Sequence, residues 1–498
     1  MPDPGSAGLS RQRRLLVLGI CCLSLFIVGI DNTIVNVALP SIQRELHASV
    51  SGLQWVVDAY TVVLASLLML AGSTGDRLGR RRTFQVGLAT FTIGSLLCSL
   101  APSLGWLVAF RMLQAVGGSM LNPVALSIIA NVFTGDRERA RAIGIWGGVF
   151  GASLALGPVL GGLLTGTVGW RGVFWVNIPV GLAAIVLTVI AVPESRAARA
   201  RRPDPVGQAL VIVILASLTY AIIEGPRAGW TSATIEGLFC LAAVAAGGLV
   251  AYEPRRAEPL IELRFFRSVP FSGATMIAIS AFAALGGFLF LNTLYLQDVR
   301  GESPLAAGLY TLPMAAMVAV LSPVTGRALG RRGPRLPLLI AGAMTTAGAV
   351  ILTALNATTP VIVLIVAYVT FGIGAGTVNA PITNTAVSGM PRAQAGVAAA
   401  VASTSRQVGQ SLGVAVVGSA VTSALHGAFR TGFAQAAQAG WWIMAGCGAA
   451  IFTLGLVTTG RWARGTAART AERLMAEETK VPAAPPDCSA AAGRRADQ

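Results

Sequence analysis

The chain has 498 residues, 54% of them hydrophobic and only 12% charged, with a mean hydropathy of +0.69. Soluble domains carry roughly 25% charged residues, so this composition excludes a water-soluble globular protein and points to a polytopic membrane protein. The net charge of +16 does not require a nucleic-acid partner, because basic residues gathered in loops on one side of a bilayer orient a membrane chain.

Residues 1–14 form a short basic start, expected in the cytoplasm with Arg11, Arg13 and Arg14. Fourteen apolar stretches of about the ~20 residues needed to cross hydrocarbon follow. They are placed at 15–39, 52–71, 83–101, 104–132, 140–166, 172–192, 205–224, 234–252, 270–297, 304–325, 337–355, 361–387, 396–424 and 439–460. An even number puts both termini on one side. Sorted by that topology, about 30 of the 37 Lys and Arg fall on the cytoplasmic side of a cell (inner) membrane. The basic segment 193–205 and the stretch 253–268 divide the chain. The expected domains are a six-helix bundle at 15–192, a linker with two inserted helices at 193–269, a second six-helix bundle at 270–460, and a cytoplasmic tail at 461–498 that begins as a surface helix and ends disordered.

Between the second and third spans lies Gly72–Arg82, with Gly72, Gly75, Asp76, Arg77, Gly79, Arg80 and Arg81 in what reads as a hairpin turn. Asp76 and Arg77 are expected to pair there. A degenerate copy, Gly326–Arg332, follows the tenth span with Arg327 in place of the acid, as expected of two related halves. The first span carries Asp31, Asn32 and Asn36. A carboxylate inside a span costs ~2.5–3.5 kcal/mol on insertion scales and is a functional candidate by default. At ~1.5 Å per residue, Asp31, Asp58 and Arg111 fall at one level and are within reach of one another. Glu224 and Asp298, at helix ends, read as solvated; His47 and His426 lie in or near outer loops. The fifth span is glycine-rich: Gly144 and Gly148, and Gly157 and Gly161, are spaced for close helix packing, beside Pro158 and Gly162. Arg406 and Gln407 stand in the thirteenth span, and Asn36, Gln114 and Asn379 are further candidates for lining a cavity.

The loop at Gly72, Asp76, Arg77, Gly79, Arg80 and Arg81 resembles the signature of the major facilitator superfamily. The segment Gly29–Pro40 resembles the first-helix motif of its 14-helix drug:proton antiporters, Arg111–Gly118 resembles the motif with an essential arginine, Gly157–Gly162 resembles the antiporter motif, and Arg406–Gly413 resembles the matching thirteenth span. The resemblance implies an all-α fold of two six-helix bundles plus two central helices, acting as a monomer in the lipid bilayer. It implies proton-coupled export of antibiotics, drugs or similar lipophilic compounds, with protons as coupling ion; Asp31 and Arg111, which stand in matching motifs, and Asp58, which falls at their depth, are the expected coupling groups. Export of an endogenous metabolite is the alternative, with a membrane enzyme or receptor more remote. No phosphate loop, His-Glu-x-x-His motif or metal-type spacing of the six cysteines occurs, so neither ATP drive nor a cofactor or metal is expected. With so few acids in the spans, neutral or singly charged substrates are expected over polycations.

Overall fold

A computed structural model describes residues 10–197, 203–256, 258–388, 390, 394–425 and 429–478, all in helices and short connections. The helices are α1 (Arg11–Leu46), α2 (Val50–Leu78), α3 (Arg80–Ser99), α4 (Leu104–Val132), α5 (Asp136–Thr167), α6 (Gly172–Trp175) and α7 (Asn177–Ala191). Next come α8 (Pro205–Ala228), α9 (Ala233–Tyr252), α10 (Val269–Leu294), α11 (Pro304–Tyr310), α12 (Leu312–Arg332) and α13 (Arg335–Leu352). The series ends with α14 (Val361–Val387), α15 (Ala395–Ala424), α16 (Phe429–Thr458) and α17 (Arg461–Glu478).

Twelve segments of the described residues are long and apolar enough to cross a membrane. Two further long helices are less apolar: α3 opens on three arginines, and α15 contains Arg406 and two glutamines. Both pack among the others, which gives the expected fourteen. Some spans are built of two pieces. The sixth is α6 and α7, the tenth is α11 and α12 joined at Thr311, and the ninth ends in a π-turn at Tyr295–Val299. The tail begins as helix α17, while residues 479–498 and His426 lie outside the described residues.

Packing partners recur in the two halves. α1 lies on α5, α2 on α4, α3 on α4 and α3 on α7; α10 lies on α15, α12 on α14, α13 on α14 and α13 on α16. The reason is visible in the glycines. A Cβ at Gly157 would meet Thr33 Oγ1 at 1.9 Å, and one at Gly161 would meet Ile34 O at 2.7 Å, so two glycines four residues apart seat α5 on α1. Gly409 and Gly413 do the same for α15 on α10, where a Cβ would come within 2.4 Å of Ile279 O and 2.1 Å of Ala283 O. Small residues at this spacing let helix backbones touch where lipid offers no hydrophobic drive for association.

The halves meet at the end opposite the arginine-rich turn. There Gly162 packs on the Pro304 and Leu305 backbone, Gly308 packs on Pro158, Gln54 Nε2 donates to Val414 O (3.2 Å) and Ala415 O (2.9 Å), and Gln297 Nε2 donates to Val37 O (2.8 Å). At the arginine-rich end, by contrast, Gly144, Gly147, Gly148 and Gly151 of α5 and Gly326 and Gly330 of α12 have nothing within 4 Å of a Cβ position. In the inserted hairpin α8 lies along α2 and α15, with α9 packed on α8, and α8 is tied to α2 by Gln208 Nε2 donating to Ser66 O, Trp55 Nε1 to Glu224 (2.9 Å) and Arg227 Nη1 to Ser51 Oγ (3.0 Å). Glu224 is thus a packing partner of Trp55, and Asp298 is half-buried near Arg44; the expectation that both are solvated is corrected, because a helix end in this fold is covered by its neighbours.

Gly413→Ala is expected to destabilise the protein by ~1–3 kcal/mol, as overpacking does. Gly237→Ala, where a Cβ meets nothing, should leave the melting temperature unchanged or slightly raised. Thermal unfolding of the two detergent-purified variants checks this; equal stability would mean that the α10–α15 seam is not close-packed.

Candidate functional site

The charged candidates of the N-terminal half divide into two sites. Asp31, on α1, and Arg111, on α4, form a salt bridge of 2.5 Å from Nη1 to Oδ2, and both side chains are buried. Gln114 lies one helical turn beyond Arg111; its Nε2 donates to Asp31 Oδ1 (2.9 Å), and its Oε1 accepts from Arg111 Nη1 (2.8 Å). Asn177 Nδ2, at the start of α7, donates to the same Oδ1 (3.1 Å) and to Ser95 Oγ of α3 (3.1 Å), and Ser95 in turn donates to Phe174 O (2.9 Å). Arg111 Nε donates to Val56 O of α2 (3.2 Å), and its guanidinium lies 4.1 Å from the Tyr60 ring centroid. Each carboxylate oxygen therefore accepts at least one hydrogen bond, and the guanidinium is held by a carboxylate, an amide, a carbonyl and an aromatic face. This is the provision a buried ion pair needs, since desolvating it is otherwise costly. Gly94 permits it, because a Cβ there would meet the Gln114 Cα at 2.6 Å.

Asp58 stands apart. It is fully buried on α2, accepts from Thr61 Oγ1 (3.3 Å) and faces Ser411 of α15, in the other half. The depth estimate brought it level with Asp31 and Arg111, but it pairs with neither, because its side chain leaves α2 on another side. Sequence reasoning also missed Asn177 and Ser95. The available signal for Asn177 was an amide inside the apolar sixth span.

The arginine-rich turn is mostly helix. α2 runs through Gly72 and Gly75 to Leu78, and Gly79, with φ of 113°, makes the turn alone. The ion pair there is Asp76 with Arg80, bonded through Nε (3.1 Å) and Nη2 (2.9 Å), instead of Asp76 with Arg77: the turn at Gly79 folds Arg80, the first residue of α3, back onto the last turn of α2, while Arg77 is adjacent to Asp76 on that helix and leaves it in another direction. Gly75 packs on Val124 and Gly72 near Pro123. Arg81 donates from Nη2 to Val189 O (2.9 Å) and from its backbone N–H to Glu194 Oε1 (3.2 Å), Arg80 N donates to Ser195 O (2.9 Å), and Ala197 N to Asp76 O (3.1 Å). These partners lie in the N-terminal bundle or in the first residues of the linker that follows it, none in the C-terminal bundle among the described residues.

Between the halves is a cavity enclosing about 710 Å³ of space, part of it open to solvent, with walls from α1, α5, α10, α12 and α14. Its polar side chains are Thr33, Ser322 and Asn379, and among the described residues no acid lines it. Of the cavity candidates, Asn379 is in the wall, whereas Gln114 belongs to the Asp31 cluster and Asn36 bonds back to Asn32 O (3.1 Å). Arg406 stands behind the wall, its Nη2 donating to Asn379 O (3.4 Å) and to Thr383 Oγ1, with its guanidinium 6.0 Å from the Phe282 ring centroid. Gln407 Oε1 is buried without a hydrogen-bond partner. Gly147 and Gly151 line the cavity, while Gly148 does not, and Gly157, Pro158, Gly161 and Gly162 pack α5 against α1 and α11.

Comparison with known proteins agrees with this geometry. The Multidrug resistance protein Stp of Mycobacterium tuberculosis is 39% identical over 412 residues, 83% of this chain and 76% of that protein. The Tetracenomycin C resistance and export protein of Streptomyces glaucescens is 38% identical over 416 residues, 83% and 77% of the two chains. A crystal structure of a bacterial homologue of the human lysosomal transporter Spinster superposes with a TM-score of 0.63 at 18% identity, covering 93% of this chain and 99% of that one. The family model of the Major Facilitator Superfamily matches residues 21–414, and with two packed helical bundles around a central cavity, this multi-pass membrane protein belongs to that family of transporters.

Proposed function

We propose that the chain is a proton-coupled exporter of antibiotics or similar lipophilic compounds. The observation that carries this reading is the fully buried Asp31–Arg111 pair, bracketed by Gln114 and Asn177, next to a cavity between two bundles. Relatives named for multidrug resistance and for tetracenomycin C resistance and export supply the substrate class. The bodies that move are residues 15–192 and 270–460, with 193–269 riding between them. The arginine-rich end, where the halves are apart, faces the cytoplasm with both termini by the distribution of Lys and Arg, so the cavity is positioned to load from inside. The working unit is a single chain.

The proton cycle follows from electrostatics. A carboxylate beside a guanidinium stays ionised, and a buried carboxylate without its cation takes up a proton. The pair lies wholly within the N-terminal body, so the cycle requires α1 to shift slightly against α4 inside that body as the halves rock; with the pair open Asp31 takes up a proton from outside, and return of Arg111 expels that proton inward. Asp58 lies between α2 and α15, on opposite halves, and its protonation sets how tightly the outer seal holds. Gln54 and Gly418 on the same two helices complete that seal, the glycine seated on the glutamine side chain.

In inverted membrane vesicles, a compound that is a substrate should release protons in the wild type, and Asp31→Asn should reduce gradient-driven accumulation by roughly tenfold or more. Downhill equilibration through Asp31→Asn should persist. Accumulation that remains coupled in the variant would remove Asp31 from the cycle. Arg111→Lys should also lose most of its coupling, since an ammonium cannot hold Asp31, Gln114 and Val56 O together in the planar geometry of the guanidinium. Coupling in that variant equal to the wild type would contradict the role given to the fork.

A further inference from the structure

The C-terminal half has a cation with no counterpart to Asp31. Among the described residues, no carboxylate lies within ion-pair distance of Arg406. Its protein hydrogen bonds run from Nη2, to Asn379 O and Thr383 Oγ1, while its Nε is buried without a partner. A guanidinium has five N–H donors in a planar fork, so most of this one's donor capacity is unused by the protein. Two of its neighbours, Phe282 and Asn379, are cavity-wall residues. Around it on α15, Thr404 Oγ1 and Gln407 Oε1 are likewise buried with no partner. An ionisable group left unpaired inside a span is expensive and marks a ligand path, and here the charge stands behind a wall whose polar side chains, among the described residues, are Thr33, Ser322 and Asn379, with no acid.

We propose that Arg406 is the docking point for the anionic group of the transported compound, a carboxylate on an apolar, ring-containing body. The carboxylate approaches between Phe282 and Asn379, accepts hydrogen bonds from the free edge of the guanidinium, and leaves the rings against Phe282, Leu285 and Met314. An arginine fork matches a carboxylate's two oxygens, and a charge-assisted hydrogen bond of this kind is stronger than one between neutral groups. Cations meet the opposite field there, which places amine-bearing compounds lower in the selectivity order. This assignment rests on the exporter reading and specifies the substrate class of the same cavity.

The test is equilibrium binding of 9-anthracenecarboxylate and of its uncharged methyl ester to the purified full-length protein in nanodiscs, near neutral pH, read by fluorescence. The wild type should bind the carboxylate at least about tenfold more tightly than the ester, the scale of one charge-assisted hydrogen bond. Arg406→Gln should abolish that preference while changing ester binding less than about twofold, and Arg406→Lys should restore part of it. Equal wild-type affinity for the two compounds would overturn the proposal without any variant. So would an Arg406→Gln protein, of wild-type melting temperature, that keeps the preference. Binding in nanodiscs involves no gradient, so a failure here leaves proton-driven export standing, and a failure of proton coupling in vesicles leaves this binding result intact.

Discussion

A carboxylate and a guanidinium held inside the membrane constrain the whole N-terminal half. Neither charge is tolerable alone in a low-dielectric surrounding, and even together they need their remaining hydrogen-bonding positions filled. The fold meets that demand by bringing five helices to one point: α1 supplies Asp31, α4 supplies Arg111 and Gln114, α7 supplies Asn177, α3 supplies Ser95, and α2 contributes Val56 O and the Tyr60 ring. The residues nearest the pair are shaped by it as well. Gly94 must lack a side chain so that α3 can lie on Gln114. A structure organised this way is sensitive to a small displacement of α1 against α4, since separating the charges leaves each without its partner.

The glycine seams determine which helices can move together. Gly157 and Gly161 lock α5 to α1, and Gly409 and Gly413 lock α15 to α10, with glycines four apart resting on carbonyls four apart in both cases. Contacts between halves are of a different kind. They run between α2 and α15 and between α5 and α11 or α12, with Gly162 on the α11 backbone and Gln54 bonded to α15 at the end opposite the arginine-rich turn. The result is two bodies that are bonded internally by close glycine seams and jointed across a cavity, with the Asp31 cluster inside one body and the cavity between the two.

Much of this was legible in the sequence because hydrocarbon thickness is a strict ruler. Span count and the two-bundle architecture follow from apolar length, and α3 and α15 were found despite their arginines and glutamines. Depth along a helix was legible too, which brought Asp31 and Arg111 to one level. Azimuth was not. Depth counting cannot tell which way a side chain leaves its helix, so Asp58 was grouped with a pair that it does not join, and Asn177 was passed over. The turn at Asp76 was misread for a related reason: three glycines suggested a loop, whereas Gly72 and Gly75 are helix-packing residues and Gly79 alone turns the chain, leaving Asp76 opposite Arg80. The seam at Gly409 and Gly413 needed tertiary structure, since only there does a missing Cβ become a contact.

The central claim is that Asp31 changes protonation as the transporter turns over, and infrared difference spectroscopy of the carboxyl stretch reads that event most directly. Spectra of the membrane-reconstituted protein with and without a transported compound should show a protonated-carboxyl band whose intensity changes on binding and which is missing from Asp31→Asn. A difference band that persists unchanged in Asp31→Asn, or a wild type in which substrate alters no carboxyl signal, would contradict the account.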